Sequence, residues 1–162
     1  MDLKATDAMS NAHVRPIDVG QYIIDAFISK GEGITTLKLQ KLVFYSQAFS
    51  MVWYDAPLFD EDFQAWINGP VVCSLFRVLQ DFYYCPRKIA DADAGRLSAK
   101  QKDTIDKVVE HYGGLMSYDL AALVHSESPW KDARKGLSPS TPSNEIISKQ
   151  SMAEFYMGQV MQ

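Results

Sequence analysis

The sequence is poor in cysteine and has no long hydrophobic run. Its 162 residues include only two cysteines, Cys73 and Cys85, which does not fit the disulfide framework of a small secreted domain. No segment approaches the roughly 18 apolar residues of a membrane-spanning helix. The first residues also lack the basic-then-apolar pattern of a secretion signal. We therefore expect a cytoplasmic protein that does not bind membranes.

Basic residues are outnumbered by acidic ones. The chain has 16 Lys and Arg against 20 Asp and Glu, a net charge of −4. The excess lies in residues 55–95, which carry seven acidic and three basic side chains. Because proteins that bind phosphate backbones carry a basic patch, we expect no direct contact with nucleic acid. An acidic surface suits a basic protein partner, although it can equally serve only solubility.

Residue types that form active sites are present, but their spacing matches no known arrangement. Cys73, Cys85, His111 and His125 follow one another at intervals of 12, 26 and 14, whereas structural zinc sites use pairs roughly two to four residues apart. Cys73 lies in a stretch typical of a packed helix, where a thiol is usually inert. We therefore predict a protein that is not an enzyme and uses no metal or cofactor. A thiol or metal-dependent enzyme is the least favoured alternative.

Helical spacing of apolar residues predicts a mainly α fold. The segment from Thr36 to about residue 54 is apolar around most of its circumference, which indicates a central, buried helix. Ser98-Ala99-Lys100-Gln101 is a capping box that opens the most clearly marked helix. Pro70 follows a tight turn and suits the start of a helix over residues 71–84. Together the patterns predict one compact domain of about six to seven helices.

A small sheet and a tail complete the predicted organisation. Short strands are expected near 63–67, 87–90 and 145–148. Residues 1–14 are mixed and polar, so we predict a flexible N-terminal tail there and a helical domain over 15–162. No repeat, linker or second domain is visible in the sequence.

Two tryptophans stand beside turns. Trp66 precedes Asn68-Gly69-Pro70, and Trp130 follows Pro129. Aromatic residues in such places are common interface anchors. They are also common in cores, and each one taken alone favours the core.

Four blocks, taken in order, resemble a known family. They start at residues 37, 57, 65 and 123 and read LKLQKLVFYSQA, PLFDE, AWINGPVV and LVHSESPWKDAR. These blocks are similar to the motifs of the Panacea domain, which occurs in SocA-like antitoxins and phage-associated GepA-like proteins. The resemblance runs from about residue 19 to 156. Asn68 stands where the family usually has an aromatic residue, and Val124 where it often has threonine.

The resemblance implies an antitoxin of a toxin–antitoxin system. Such a protein neutralises a cognate small protein toxin, encoded next to it, by direct binding. As an alternative, SocA-like members act as adaptors that deliver the toxin to a ClpXP-type protease, for which the exposed tail could provide the contact. The family is common on prophages, which suggests a role in phage defence. An autoregulator that binds DNA is also conceivable, although the charge argues against it.

The resemblance and the charge pattern divide the candidate residues into two groups. Motif residues are expected to be scaffold: Leu39, Lys41, Leu42, Tyr45, Trp66, Gly69, Pro70, His125, Pro129 and Trp130. Because toxins differ while the motifs recur, we expect toxin contacts elsewhere, in acidic and loop segments. The candidates for toxin binding are Asp60, Glu61, Asp62, Asp91 and Asp93. The 136–144 loop and the N-terminal tail are further candidates.

Overall fold

The computed structural model describes residues 13–159, which form seven α-helices, one 3-10 helix and a small sheet. The elements are α1 (Pro16–Ser29), α2 (Thr36–Tyr54), β1 (Phe63–Trp66), β2 (Gly69–Val72), α3 (Cys73–Leu79), the 3-10 helix (Ala94–Arg96), α4 (Ala99–Tyr112), α5 (Ser117–Ser126), α6 (Ser128–Ala133), β3 (Ile146–Ile147) and α7 (Lys149–Met157). The predicted mainly α fold with a small sheet is confirmed. Residues 1–12 of the predicted tail and 160–162 lie outside the described residues.

Helix α2 is the axis of the fold. The Thr35 hydroxyl caps its first turn by accepting a hydrogen bond from the Lys38 N–H. Every residue from Leu39 to Met51 is buried, because α1, α4, α5, α7 and β2 all pack around this helix. None of the described helices is both long and apolar enough to cross a membrane.

Two buried glutamines on α2 bind the backbone of segments that pass over the helix. The Gln47 amide accepts the Leu58 N–H at 2.6 Å and donates to the Phe59 carbonyl at 2.8 Å. The Gln40 amide accepts the Val72 N–H at 3.0 Å and donates to the Val72 carbonyl at 3.3 Å. Because a primary amide carries both a donor and an acceptor, each side chain forms the backbone hydrogen bonds that a neighbouring strand would otherwise form.

The strand predicted near 87–90 is wrong. The segment is bent, and its backbone pairs with a side chain of α1 instead of another strand. The Ile89 N–H donates to the Gln21 oxygen at 2.7 Å, and the Gln21 nitrogen donates to the Arg87 carbonyl at 2.9 Å. The glutamine therefore satisfies the polar groups that would otherwise have favoured a strand.

The expected helical position of Pro70 is also wrong, because Pro70 lies in strand β2. Strands β1 and β2 form an antiparallel hairpin in which Ala65 faces Pro70. The Ala65 N–H donates to the Glu145 carbonyl, and the Ala65 carbonyl accepts from Arg134. Both groups of Ala65 point away from β2, so the N–H that proline lacks has no partner there to satisfy.

Helix α3 is shorter than the predicted helix over 71–84. It starts at Cys73, where the Glu61 carboxylate accepts the Ser74 N–H at 3.0 Å. Beyond Leu79 the backbone forms hydrogen bonds with the first residues of α2 and the residue before them instead. The Tyr83 carbonyl accepts the Thr36 N–H at 3.0 Å, and Tyr84 forms a bridge with Thr35. These long-range bonds outcompete continuation of the helix.

The sheet has the order β2-β1-β3, and all its strands are antiparallel. Strand β3 falls inside the predicted 145–148 segment. Phe63 and Ala65, which belong to β1, are fully buried. The sheet therefore holds the β1–β2 hairpin against α2 and fixes the position of the turn at Ile67 and Asn68.

Candidate functional site

A groove of about 370 Å³ lies between α2, α3 and the β1–β2 hairpin. Its apolar wall consists of Leu37, Trp66, Ile67, Val71, Phe76 and Leu79. The rings of Trp66 and Phe76 meet edge to face, with 4.8 Å between their centroids. Concave, mostly apolar surfaces with a few polar groups at the edge are typical of binding sites. This apolar groove is therefore the candidate binding site.

Exposed apolar side chains continue from the end of the groove. They form an aromatic patch that consists of Leu37, Phe82, Tyr83, Tyr84, Met116 and Tyr118. Tyr83, Met116 and Tyr118 expose 71%, 73% and 77% of their surface. Isolated exposed apolar residues are ordinary on proteins, but contiguous ones mark interaction sites. Tyrosine and methionine are also enriched at protein interfaces.

Hydrogen bonds at the start of α2 hold this patch together. The Thr36 hydroxyl donates to the Phe82 carbonyl at 3.2 Å, and the Thr35 and Ser117 hydroxyls lie 3.1 Å apart. These bonds bring the 82–84 segment and the start of α5 to one end of α2. Thr36 also lines the groove, so the apolar groove and the aromatic patch meet at the start of α2. The two together are here called the apolar face.

Several scaffold candidates join the hairpin to α6. The Trp130 indole N–H donates to the Trp66 carbonyl at 2.8 Å. The His125 ring stacks on Trp130, with 4.0 Å between ring centroids, and the Arg134 guanidinium lies 4.7 Å from the same ring centroid. Arg134 is buried and donates to the Ala65 carbonyl. This arginine carries no special signal in the sequence, and its role was not predicted.

Lys41 is a buried cation beneath the hairpin turn. Only 2% of its surface is exposed, and its Nζ donates to the Leu37 carbonyl at 3.3 Å. Burial lowers the pKa of Lys41 to about 8. Gly69 adopts a φ of 121°, and a Cβ there would lie 3.2 Å from Lys41 Cε. Glycine therefore provides both the backbone conformation and the space that the lysine stem occupies.

A half-buried carboxylate, Glu127, joins α2, α7 and the junction of α5 with α6. One oxygen of Glu127 accepts the Tyr45 hydroxyl at 2.6 Å and the Tyr156 hydroxyl at 2.8 Å. Tyr45 also stacks on Tyr112, with 4.2 Å between centroids. Burial raises the pKa of Glu127, and the two tyrosine hydrogen bonds oppose this increase. The network accounts for a buried Tyr45, but sequence reasoning missed Glu127.

The remaining motif candidates are also packed inside. Leu39 and Leu42 are fully buried on α2, and Pro129 is buried on α6. Trp66 is half-buried, with one side in the groove. The motif residues therefore hold the wall of the groove from behind, and only Trp66 among them lines it.

The acidic candidates lie outside the apolar face, and several already have partners within the chain. Glu61 caps α3, Asp62 pairs with Lys149 at 2.7 Å, and Asp93 accepts the Gly95 N–H at 2.9 Å. Asp60 and Asp91 are exposed. Their role in toxin binding stays a prediction.

Two arginines bring the acidic segments to one side of the molecule. Arg15 donates to the Asp91 carbonyl at 2.8 Å, and Arg96 lies 3.9 Å from Asp93. Both arginines line a shallow depression with Asp60 and Glu61. The negative charge of these loops is therefore partly neutralised by their neighbours.

Among the described residues, the 136–144 loop is the predicted contact segment that borders the groove. Pro142 and Ser143 line it, and Arg134 donates to the Ser138 carbonyl at 2.9 Å and also to the Thr141 carbonyl. The protease contact predicted for the tail falls mainly on residues 1–12, outside the described residues, and stays a prediction.

The thiols lie in surroundings that oppose ionisation. Burial raises the pKa of Cys73, and Glu61 raises it further while Arg77 lowers it. Burial raises the pKa of Cys85 to about 12. A nucleophilic cysteine needs the opposite shift. Within residues 13–159, no three His, Cys, Asp or Glu side chains come together in a way that could hold a metal ion.

A protein-family model matches the central part of the chain. The family model described as "Antitoxin SocA-like, Panacea domain" matches residues 39–131, more than half of the chain. The matched region contains most of α2, the hairpin, α3 and Trp130, and so covers most of the groove wall. No curated protein and no solved structure matches significantly.

Proposed function

The chain belongs to the SocA-like antitoxin family with a Panacea domain, and we propose that it neutralises a small protein toxin by binding it directly. The family match is the observation that carries this proposal. A protein toxin, encoded in the neighbouring reading frame, is the proposed partner. Neutralisation by contact requires a surface that can bury apolar groups of the partner, and the chemistry of the described residues supports one surface above the others.

The apolar face is the proposed toxin-binding surface. It combines a groove, which can take side chains of the partner, with exposed tyrosines that can pack against the partner's backbone. Interface affinity is usually concentrated in a few aromatic residues near a well-packed centre. The Trp66 ring packs against Phe76, and its indole N–H donates to the Gln64 side chain at 2.8 Å, so it loses little side-chain freedom on binding.

The acidic loops have a secondary role in this proposal. Asp60 and Asp91 are exposed and lie away from the groove. Charges outside the centre of an interface mainly accelerate association and contribute little to its final strength. Replacement of Asp60 and Asp91 by asparagine should therefore slow the association of a basic toxin without abolishing neutralisation.

Growth rescue in cells tests the proposed function. The neighbouring reading frame is expressed alone and then together with this chain. We expect the neighbour to stop growth, this chain to restore it, and the two proteins to purify as a complex. A harmless neighbour, or rescue without a complex, would contradict neutralisation by direct binding.

A double variant tests the proposed surface. Tyr83→Ser with Tyr118→Ser removes two exposed rings of the aromatic patch and should weaken toxin binding about tenfold or more. Tyr54→Ser is the matched control, because Tyr54 is also exposed (41%) but lies at the other end of α2, roughly 27 Å away. Equal affinities of the three proteins would exclude the aromatic patch from the interface.

A further inference from the structure

The lysine behind the groove wall has too few partners for a buried cation. An ammonium group has three donors, and Lys41 uses one, on the Leu37 carbonyl of its own helix. No carboxylate of residues 13–159 lies within ion-pair distance of it. Buried charges in proteins are almost always paired. This ammonium therefore has unused binding capacity.

The polar groups around Lys41 do not neutralise its charge. His125 Nε2 is buried and has no hydrogen-bond partner, and the same holds for Arg134 Nε. Burial lowers the pKa of His125, and the charges of Lys41 and Arg134 lower it further. Neither Lys41 nor Arg134 forms an ion pair with a carboxylate of the described residues, so the surroundings of Lys41 form an electropositive region. Such a region favours an anion.

The electropositive region lies directly behind one edge of the apolar groove. The hairpin turn separates the two: Ile67 and Asn68 line the groove, and the position of a Gly69 Cβ is 3.7 Å from Lys41 Nζ. Leu37, whose carbonyl binds the ammonium, also lines the groove. Lys41 itself does not line the groove, so binding from the groove requires the exposed Asn68 side chain or the lysine stem to move.

We propose that Lys41 forms a receptor for one carboxylate side chain of the toxin, carried on an apolar segment that lies in the groove. This inference rests on the proposed function and specifies the partner's chemistry: apolar side chains next to a single Asp or Glu. We expect a side-chain carboxylate and not the C-terminal carboxylate of the toxin. The Lys41 ammonium lies to one side of the groove, behind the hairpin turn, so the carboxylate has to branch from a segment that lies in the groove.

The receptor has a thermodynamic advantage for selective recognition. The lysine is already stripped of water when the protein folds, so binding does not have to remove that water again. An incoming carboxylate then forms charge-assisted hydrogen bonds in a site of low dielectric constant. A neutral amide of the same shape forms weaker bonds and leaves the charge unpaired. The site should therefore distinguish acid from amide strongly.

A small probe pair tests this selectivity. We choose 4-phenylbutyrate, which has a ring for the groove and a carboxylate, and its uncharged analogue 4-phenylbutyramide. Binding is followed by the NMR signal of the Trp66 indole N–H, assigned by comparison with a Trp66→Phe variant. We expect saturable binding of the acid, at least about tenfold tighter than binding of the amide. Equal affinities would overturn the proposal.

Substitution of Lys41 tests whether this residue causes the preference for the acid over the amide. Lys41→Met keeps the length of the side chain and removes its charge, so the preference for the acid should vanish. Lys38→Met is the control, because Lys38 is on the same helix but donates to the Gly113 carbonyl. A preference that survives in Lys41→Met, or that is lost equally in Lys38→Met, would show that Lys41 is not the receptor.

Stability separates this role from a purely structural one. If the charge of Lys41 serves binding, Lys41→Met should unfold at a higher urea concentration than the native chain and still neutralise the toxin less well. Lower stability together with weaker neutralisation would indicate a structural lysine and overturn the proposal.

Different results would contradict the carboxylate receptor and the proposed neutralisation of a toxin. If the native chain does not neutralise any neighbouring toxin, the proposed function fails whatever the probes do. If neutralisation holds but no single Asp→Asn or Glu→Gln change in the toxin weakens the complex, only the receptor fails. If the complex is weakened only when the toxin's last residue is removed or its C-terminus is amidated, the bound carboxylate is the C-terminal one, and the proposal of a side-chain carboxylate is wrong.

Discussion

The indole N–H of Trp130 donates to the main-chain carbonyl of Trp66, with 2.8 Å between donor and acceptor. This bond connects the two tryptophans that the sequence places beside turns, and it fixes the groove-lining hairpin to α6. Trp66 faces the groove while Trp130 is 4% exposed. One tryptophan is therefore available to a partner, and the other holds it in position.

Removal of this bond should reduce both stability and binding. Trp130→Phe keeps a ring on which His125 can stack but removes the donor. We expect a loss of about 1 kcal/mol in the free energy of unfolding, measured by urea denaturation, and weaker toxin binding by calorimetry. Trp53→Phe is the control, since Trp53 is partly exposed (37%) at the end of α2. Unchanged binding in Trp130→Phe would mean that the hairpin position is irrelevant to the interface.

Glu127 should make stability fall as the pH rises. Burial raises its pKa, so the folded state holds this proton at pH values where the unfolded state has lost it. The free energy of unfolding therefore decreases from about pH 4.5, the ordinary glutamate value, up to the folded-state pKa. Glu127→Gln cannot titrate and should lose this slope, whereas the exposed Glu110→Gln should keep it. Parallel urea titrations across this range measure both, and identical slopes would refute the assignment.

Lys41 should have the opposite pH dependence in another range. Its pKa is about 8 when folded against 10.5 when exposed. Between these values the unfolded state binds more protons, so the free energy of unfolding rises with pH. Below this range the charge destabilises the fold by about 3 kcal/mol. Lys41→Met should remove both the rise and most of the penalty, while the exposed Lys131→Met should behave like the native chain.

Gly69 should tolerate a side chain less well than a glycine in open space. Gly69→Ala places a methyl group at a φ of 121° and 3.2 Å from Lys41 Cε. Gly31 also has a positive φ, 73°, but nothing lies within 4 Å of its Cβ position. Backbone strain alone should destabilise Gly31→Ala by about 1 kcal/mol, and Gly69→Ala should lose about 1–3 kcal/mol more. Thermal unfolding compares the two, and equal losses would show that Lys41 moves aside freely.

The features that the sequence predicted well depend on local pattern. Helix α2 is apolar around most of its circumference, and its residues from Leu39 to Met51 are buried as predicted. The capping box of α4 forms as expected: the Ser98 hydroxyl accepts the Gln101 N–H, and the Gln101 side chain accepts the Ser98 N–H. Such signals need only residues three or four positions apart, so they depend less on tertiary contacts.

The features that were missed depend on distant partners. Gly69-Pro70 fits a turn before a helix as well as a strand, and the choice follows from bonds to Gln40 and Arg134, which no local rule reveals. The apolar face is likewise assembled from α2, α3, the hairpin and the start of α5. Counting charges placed the acidic excess correctly but could not show that Glu61 and Asp62 already bind groups of their own chain.

The glutamine bound to β2 limits how other chains can attach to this protein. Strand β2 is at the edge of the sheet, where exposed backbone groups usually invite further strands and, in crowded cells, aggregation. Here Gln40 occupies both backbone groups of Val72, and Pro70 has no N–H to offer. At these two positions the edge therefore has no free N–H for a further strand. A partner on this side must be selected by the side chains it presents, and misfolded neighbours find no template for amyloid growth along this strand.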